Sequence, residues 1–297
     1  MAIPVALERL TAVGPPAPGH GGTTAADLRE YARDLETVYG PLPDRTWLEH
    51  GERVSYADLV TAVAGALGGP DSGVDLLLTV TPVPDCQARV LPGCLLAELL
   101  GGRPPVIGVN DQGAAGAFTA LRLARARIAG GEARRAAVVV MEQSTLPPEP
   151  GYALPPGTGA AVVVVGADRA GPGTGLRLAE LTVRRLPAAD RRPGGARPGG
   201  WLRPWYEAAL RHAARPGGEL ALADRDEALG YDCRVLFAPA AAGPYAAPGE
   251  TPEAGGAAYE RVRPYAAPGP AAPAPAAAAS GGLTAPHPQQ SAMEART

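Results

Sequence analysis

The chain has 297 residues and a formal net charge of -3, and 46% of its residues are apolar although only 5% are aromatic. This length is enough for one large domain or for two halves around a shared core. The 39 glycines and 34 prolines exceed ordinary usage, which indicates that part of the chain is linker or disordered tail. The basic residues form only short clusters without interleaved aromatics, so a nucleic-acid partner is not expected.

Cysteine and histidine usage predicts neither metal nor cofactor chemistry. Three cysteines, Cys86, Cys94 and Cys233, have no metal-ligand spacing and are typical of a reduced cytoplasmic chain. The four histidines are dispersed, so we expect no metal site, and no motif suggests a cofactor. The N-terminal segment lacks an apolar signal core, and the longest apolar run, 159–167, is about half a membrane span. These features predict a soluble cytoplasmic protein without a membrane partner.

From the N-terminus to residue 168, predicted strands alternate with capped helices. Apolar runs predict the strands, while Ser, Thr and Pro at helix starts and glycines at helix ends bound the helices. Buried strands that alternate with helices predict an α/β layered fold with a mostly parallel sheet. The predicted strands are 3–10, 74–80, 105–109, 136–141 and 160–165, and the predicted helices are 25–39, 55–69, 92–102 and 114–129.

Beyond residue 168 the pattern is weaker. Residues 176–183 and 233–237 predict strands, residues 191–200 read as a glycine-proline linker, and residues 201–214 look helical from Pro204 onward. From about residue 246 the chain consists mainly of Ala, Pro and Gly, which cannot bury enough apolar surface to offset the entropy of ordering. We therefore predict a disordered tail over 246–297.

Four ordered segments resemble the type III β-ketoacyl-acyl-carrier-protein synthases of the thiolase superfamily. VDLLLTVTPVPD is similar to the family's strand and Thr-x-x-Pro-Asp turn, and LPGCLLAELLGG to the helix that follows. The segment 106–143 is similar to the strand, nucleophile turn, central helix and next strand, and PPGTGAAVVVVGAD resembles the Asp-Gly-Ala-Gly-Ala segment. The resemblance implies a thiolase-like half over 1–170 and a reduced C-terminal half over 171–245.

The resemblance places Ala114 where the family has its catalytic cysteine. Counting back from Ala120-Leu121 aligns Ala115-Gly116 with the family's Ala-Gly, which leaves Ala114 at the cysteine. The family uses a thiol there because the helix N-terminus lowers its pKa and the thiolate attacks an acyl thioester. Alanine cannot form an acyl-enzyme. Gln112 resembles the glutamine of chain-length-factor subunits, although it lies two residues too early.

The family's catalytic histidine and asparagine also lack counterparts. The strand before the histidine is best matched by CRVLFAPAAAG, where Ala238 stands near the histidine position. No asparagine-containing glycine turn follows, since Asn110 is the only asparagine. The general acid and the oxyanion donors are therefore expected to be missing.

Several other residues could take part in catalysis or binding, but each also has a purely structural interpretation. Cys94 follows Pro92-Gly93 at a helix start and could be a nucleophile, but a small buried side chain explains it as well. Asp111 and Glu142 could pair as strand-end carboxylates, or each could cap a helix or hydrogen-bond a loop, which is the commoner outcome. Residues 157–159 (Gly-Thr-Gly) read as a tight turn rather than a phosphate loop, because no lysine follows. His212 reads as a surface residue of a helix.

The function predicted from the resemblance is that of a non-catalytic ketosynthase-like subunit in secondary-metabolite, polyketide or fatty-acyl biosynthesis. Its partner would be a catalytic ketosynthase-like subunit in a heterodimer, or a second copy of itself, and the strand with Ala136–Met141 would pair near the two-fold axis. Two alternatives stay open: an active acyltransferase or condensing enzyme with an atypical nucleophile, and a domain that binds an acyl chain, acyl-CoA or an acyl carrier protein.

Overall fold

A computed structural model describes residues 3–15, 23–42, 53–81, 85–86, 90–145, 157–168, 175–192 and 200–239 of the chain. These residues all belong to one compact unit, Met1–Tyr245. The strands are β1 (Val5–Val13), β2 (Leu76–Thr81), β3 (Val106–Asn110), β4 (Arg135–Glu142), β5 (Gly159–Ala167), β6 (Leu176–Arg185), β7 (Leu220–Asp226) and β8 (Tyr231–Pro239). The α-helices are α1 (Ala25–Tyr39), α2 (Tyr56–Leu67), α3 (Pro92–Leu99), α4 (Ala115–Ala129) and α5 (Arg203–Ala214).

The helix starts follow from local capping chemistry. The Ser55 side chain accepts a hydrogen bond from the Asp58 N–H at 3.2 Å, and the Asp58 carboxylate accepts one from the Ser55 N–H at 2.8 Å, which forms a capping box. Thr24 and Asp27 form the same arrangement before α1. Helix α2 ends at Gly68, whose φ of 94° is the left-handed conformation that favours glycine. These helices lie where the sequence predicted them.

The eight strands form one sheet in the order β3-β2-β4-β5-β1-β6-β8-β7. Only the pairs β2–β3 and β2–β4 are parallel, and the other five pairs are antiparallel. The α/β layered class is confirmed, while the expectation of a mostly parallel sheet is wrong. Continuous apolar runs such as Val162–Val165 report burial on both faces, and an antiparallel strand covered by helices on both sides has the same sequence pattern.

Helix α4 lies between two parts of this sheet. It contacts β2 and β4 in the five-stranded part, and it also contacts β6 and β8. Only two residue pairs join β1 to β6, so the strands β6, β8 and β7 fold over the helix. Phe118 of α4 is fully buried and meets Trp205 of α5 edge-to-face, with ring centroids 5.0 Å apart. The opposite face of the five-stranded part is covered by α2 and α3.

Strand β4 does not form an edge of the sheet. Its two neighbours are β2 and β5, so the prediction that the strand with Ala136–Met141 pairs at a dimer axis is wrong. A central strand has both rows of backbone groups occupied by its neighbours. The described edge strands are β3 and β7.

Strand β7 was not predicted from the sequence. It alternates strictly between buried and exposed residues, with Leu220, Leu222, Asp224 and Asp226 on the inner side. Two of the four inner residues are aspartates, and the outer side includes two alanines, so hydropathy alone does not show the alternation.

No helix in the described ranges has the length and apolarity needed to cross a membrane. Most of the predicted linker and the whole predicted tail, 246–297, lie outside the residues that the structure describes. The boundaries predicted at residues 170 and 245 remain predictions.

Candidate functional site

The N-terminus of α4 is the position at which the resemblance places a nucleophile. Ala114 precedes the helix and is 2% exposed, and Gly113 before it has a φ of 49°. The Ala114 N–H donates a hydrogen bond to Oδ2 of Asp226 at 3.1 Å. The first free N–H of this buried helix is therefore already used within the chain, and the side chain at this point is a methyl group.

Three hydrogen bonds hold the Asp226 carboxylate at the end of β7. Besides the Ala114 N–H, its carboxylate accepts hydrogen bonds from the indole N–H of Trp201 at 3.3 Å and from the Leu229 N–H at 2.9 Å. A Cβ added to Gly113 would overlap the carboxylate and would lie 2.6 Å from Leu229 Cδ1. Glycine at position 113 thus makes room for Asp226, and the carboxylate stabilises the positive end of the α4 dipole.

A second buried carboxylate, Glu142, holds the segment that leads into α5. Glu142 is 2% exposed and accepts a hydrogen bond from the Trp201 N–H. Gly200 has a φ of 70°, and a Cβ there would lie 2.8 Å from Glu142 Oε1. Trp201 therefore links the two carboxylates, with its backbone N–H on Glu142 and its indole N–H on Asp226. Of the two predicted roles for Glu142, the structure favours hydrogen bonding to a loop over pairing with Asp111, which is exposed.

The structure does not bring Ala238 to this site. Ala238 pairs with Arg177 near the end of β8, whereas the β7–β8 turn that holds Asp226 precedes the start of β8 at Tyr231. Seven residues of strand separate Tyr231 from Ala238, or roughly 23 Å. His212, the one histidine among the described residues, lies near the C-terminus of α5, roughly 14 Å along the helix axis from its start.

The α4 site therefore contains no group suited to covalent catalysis in the residues that the structure describes. Ala114 offers no nucleophile, and neither the alanine at 238 nor His212 lies where it could act on an acyl group at Ala114. The nearby polar groups, Asp226, Glu142 and the Trp201 indole, hydrogen-bond to the protein itself. Gln112 is partly exposed and precedes the turn. These hydrogen bonds hold the N-terminal ends of α4 and α5 in place, which is a structural role.

A cavity of about 690 Å³ lies on the other face of the sheet. Thr79, Thr81, Val106 and Gly108 line it, together with the first turn of α3. Residues 79 and 81 alternate with Leu78 and Val80, which face α4, so the cavity is separated from α4 by the sheet. Cys94, on the first turn of α3, also lines the cavity and is the one exposed cysteine of the three.

The remaining cysteines are buried. Cys86 packs with Leu28 and Ala32 of α1, and its burial raises the pKa of its thiol well above the ordinary range, with Asp85 contributing next. Cys233 lies fully buried in β8. Both thiols are therefore shielded from solvent. The prediction that Cys94 is a small buried side chain is wrong, because Cys94 is exposed. Pro92 starts the helix, and position 94 of its first turn faces the solvent.

The predicted turn at residues 157–159 is present before β5. The Thr158 hydroxyl accepts a hydrogen bond from the Ser144 N–H at 3.2 Å, and Gly159 starts the strand. No helix follows this turn, so a phosphate loop is absent there. Nor do three or more His, Cys, Asp or Glu side chains cluster as metal ligands anywhere in the described segments.

Asp226 and Trp201 are the site residues that the sequence did not reveal. Asp226 lies 112 positions from Ala114, and neither residue belongs to a recognisable motif. The one available indication was the pair of aspartates in LALADRD, which are unusual on the inner side of a strand.

Comparison with solved structures identifies proteins that share this arrangement. The chain is similar to the acyltransferase ChlB3, with a TM-score of 0.51 and 15% identity over 80% of this chain and 99% of that chain. For AbyA1, a tetronic acid condensing enzyme, the TM-score is 0.52 at 15% identity, with 79% and 99% covered. For FabH, the 3-oxoacyl-(acyl carrier protein) synthase III of Xanthomonas oryzae pv. oryzae, it is 0.51 at 12% identity, with 80% and 100% covered.

Scans of the sequence against protein-family models and against curated proteins gave no match. At identities of 12–15% the structural likeness establishes the fold. The resemblance to the type III β-ketoacyl-acyl-carrier-protein synthases is confirmed at this level: the chain has the thiolase-type fold of the ketosynthase-like enzymes.

Proposed function

We propose that this chain is a non-catalytic ketosynthase-like subunit that assembles with a catalytic ketosynthase-like chain in acyl or polyketide biosynthesis. The observation that carries the proposal is the hydrogen bond from the Ala114 N–H to the Asp226 carboxylate. In a thiolase-type enzyme the corresponding helix start would hold the thiolate. Here a methyl group and an internal carboxylate stand at that point.

The carboxylate opposes catalysis for two physical reasons. It uses a backbone donor that could otherwise stabilise developing negative charge, and electrostatic stabilisation of this kind is a large part of acyl-transfer catalysis. It also places its own negative charge where an oxyanion or a thiolate would form, so like charges would repel. Substituting cysteine at position 114 alone would therefore not recreate an active enzyme.

Strand β3 offers an edge at which a partner could bind. Its only hydrogen-bonded neighbour among the described strands is β2. Leu77 N–H bonds to the carbonyl of Pro105, so the parallel ladder directs Ile107 and Val109 toward β2 and leaves the N–H groups of Gly108 and Asn110 on the outer side. Leu91, close to this edge at the rim of the cavity, is 70% exposed. Unpaired edges with apolar neighbours favour association with another chain.

Complex formation tests the proposal. A tagged chain co-expressed with a ketosynthase-like chain that has cysteine at the position matching Ala114 should co-purify as a one-to-one complex, measured by native mass spectrometry. Gly108→Pro removes an outward N–H and should weaken the complex, whereas Gly108→Ala keeps the donor and should not. A chain that stays monomeric beside such a partner, or a homodimer that excludes it, would contradict the heterodimer.

One observation favours a second candidate, an active enzyme that uses Cys94. This thiol is exposed and lines the cavity on the α3 side of the sheet. The described part of the chain provides no histidine to serve as its base, since His212 lies on α5 on the other side. Mass spectrometry after incubation with an acyl-CoA distinguishes the two candidates, because an acyl adduct that disappears in Cys94→Ala would favour the enzyme. A cytoplasmic location remains a prediction for either candidate.

A further inference from the structure

The cavity beside Cys94 has the size and composition of a small-molecule site. Ligand pockets commonly occupy about 300–1,000 Å³ and are mostly apolar with a few polar groups. This cavity has about 690 Å³, and apolar side chains such as Val90, Leu91 and Val106 form part of its lining. It lies at the carboxyl ends of the parallel strands β2 and β3, the end at which ligands bind in many α/β sheets.

The described part of the cavity wall carries acidic side chains. Among the residues that the structure describes, Asp85 and Asp111 are the charged side chains that line it. Asp85 and Asp58 also raise the pKa of the neighbouring Cys86 thiol, after the larger effect of burial, so negative charge extends beneath the cavity. A carboxylate or phosphate group entering this space would meet repulsion, while a cation would be attracted.

The polar residues of the lining include Thr81 at the end of β2 and Asn110 at the end of β3. The Thr81 hydroxyl donates to Asn110 Oδ1 at 2.6 Å, and Asp111 follows directly with a φ of 55°. Tyr31 and Tyr56 also line the space, and aromatic faces attract ammonium groups. The described lining of the cavity thus combines apolar, polar and acidic groups.

We propose that this cavity binds a mainly apolar small molecule that carries a cationic amine, with the amine near Asp111. The cavity lies across the sheet from Ala114 but borders the β3 edge proposed for partner binding, so its occupancy is tested on the chain without a partner, and that result is read separately from complex formation. Cys94 serves as a built-in reporter of occupancy.

Protection of Cys94 from N-ethylmaleimide tests the proposal. Cys94 should take up one label in the native protein, since Cys86 and Cys233 are buried. Hexylamine, hexanol and hexanoate are matched probes that differ in charge. We expect saturable protection by hexylamine, at least about tenfold weaker protection by hexanol, and none by hexanoate, with labelling measured by intact-protein mass spectrometry.

Two variants separate cavity binding from non-specific effects. A Cβ at Gly108 meets only the Asn110 amide at 3.9 Å, so Gly108→Leu should fold, fill the cavity and abolish protection by hexylamine. Gly65→Leu adds the same side chain on the outer face of α2, where nothing lies within 4 Å of the added Cβ, and should leave protection unchanged. Asp111→Asn tolerates the same backbone conformation and should reduce the preference for hexylamine over hexanol. Equal protection by hexanoate, or no protection by hexylamine, would overturn the proposal.

Discussion

Replacing Asp226 by alanine tests how the start of α4 is held. The carboxylate is 5% exposed and accepts hydrogen bonds from the Ala114 N–H at 3.1 Å, the Trp201 indole at 3.3 Å and the Leu229 N–H at 2.9 Å. Its loss leaves three donors without this acceptor in a buried region. A hydrogen bond to a charged group contributes about 1.5–3 kcal/mol. Because such contributions are not additive, we expect Asp226→Ala to lower the free energy of unfolding by about 3 kcal/mol.

The assay is urea unfolding followed by circular dichroism, together with thermal melting. For a folded unit of this size, a loss of about 3 kcal/mol lowers Tm by roughly 6–12 °C. Asp226→Asn retains one acceptor oxygen and should cost about half as much. Asp190→Ala is the matched control, since Asp190 is half exposed and lies 3.8 Å from Arg225, where an ion pair contributes about 0–1 kcal/mol. If Asp226→Ala were no more destabilising than Asp190→Ala, the carboxylate would not hold the helix as described.

Three further predictions concern stability. Gly113→Ala should lower the free energy of unfolding in urea by about 2–3 kcal/mol, because the added Cβ overlaps Asp226 at a positive φ. Gly102→Ala, also at a positive φ but in open space, should lower it by about 1 kcal/mol. Equal losses would count against the tight fit at Gly113. Phe118→Ala should lower the free energy of unfolding by about 3–5 kcal/mol, and Leu210→Ala, at a half-exposed site, by about 0.5 kcal/mol. A loss below about 1 kcal/mol for Phe118→Ala would show that Phe118 is not packed in the core as described. Because burial, followed by Asp85, raises the pKa of Cys86, the folded state keeps this proton above about pH 8.5 while the unfolded state releases it, so stability falls as pH rises, by up to about 1.4 kcal/mol per pH unit. Unfolding of Cys86→Ala between pH 8 and 10 should lack that slope, and an unchanged slope would refute the assignment.

Local structure was predictable where a few neighbouring residues determine it. Ser55 with Asp58 defines the start of α2, Gly68 ends it, and the valine-rich runs define β4 and β5. Each of these depends on chemistry within one or two turns of chain. The thiolase-type fold was predictable from the order of such segments, even though their individual motifs are weak.

Strand direction and the C-terminal arrangement were not predictable in the same way. The apolar run 160–165 shows that β5 is covered on both faces, but it does not show that β5 runs antiparallel to β4. Strand β7 was missed because its inner side includes Asp224 and Asp226. The position of Ala238 came from matching one strand to the family, and the register of β8 on β6 places it away from α4.

The same distinction between local and long-range determinants applies to the candidate site. Ala114 could be located from the sequence because Ala115-Gly116 and Ala120-Leu121 lie on the same helix. The partner of its N–H could not, since the contact between Ala114 and Asp226 depends on strands β6 to β8 folding over α4. The cavity beside Cys94 likewise depends on how α3 packs against β2 and β3.

The most direct test of the central claim is the intact mass of the purified protein after incubation with lauroyl-CoA. We expect an unchanged mass, because a methyl group stands at the start of α4 and the described residues provide no histidine base for Cys94. An Ala114→Cys variant should also remain unacylated, while Ala114→Cys combined with Asp226→Asn should show at most slow acylation. A stoichiometric lauroyl adduct on the unaltered chain would contradict the proposal that this chain is a non-catalytic subunit.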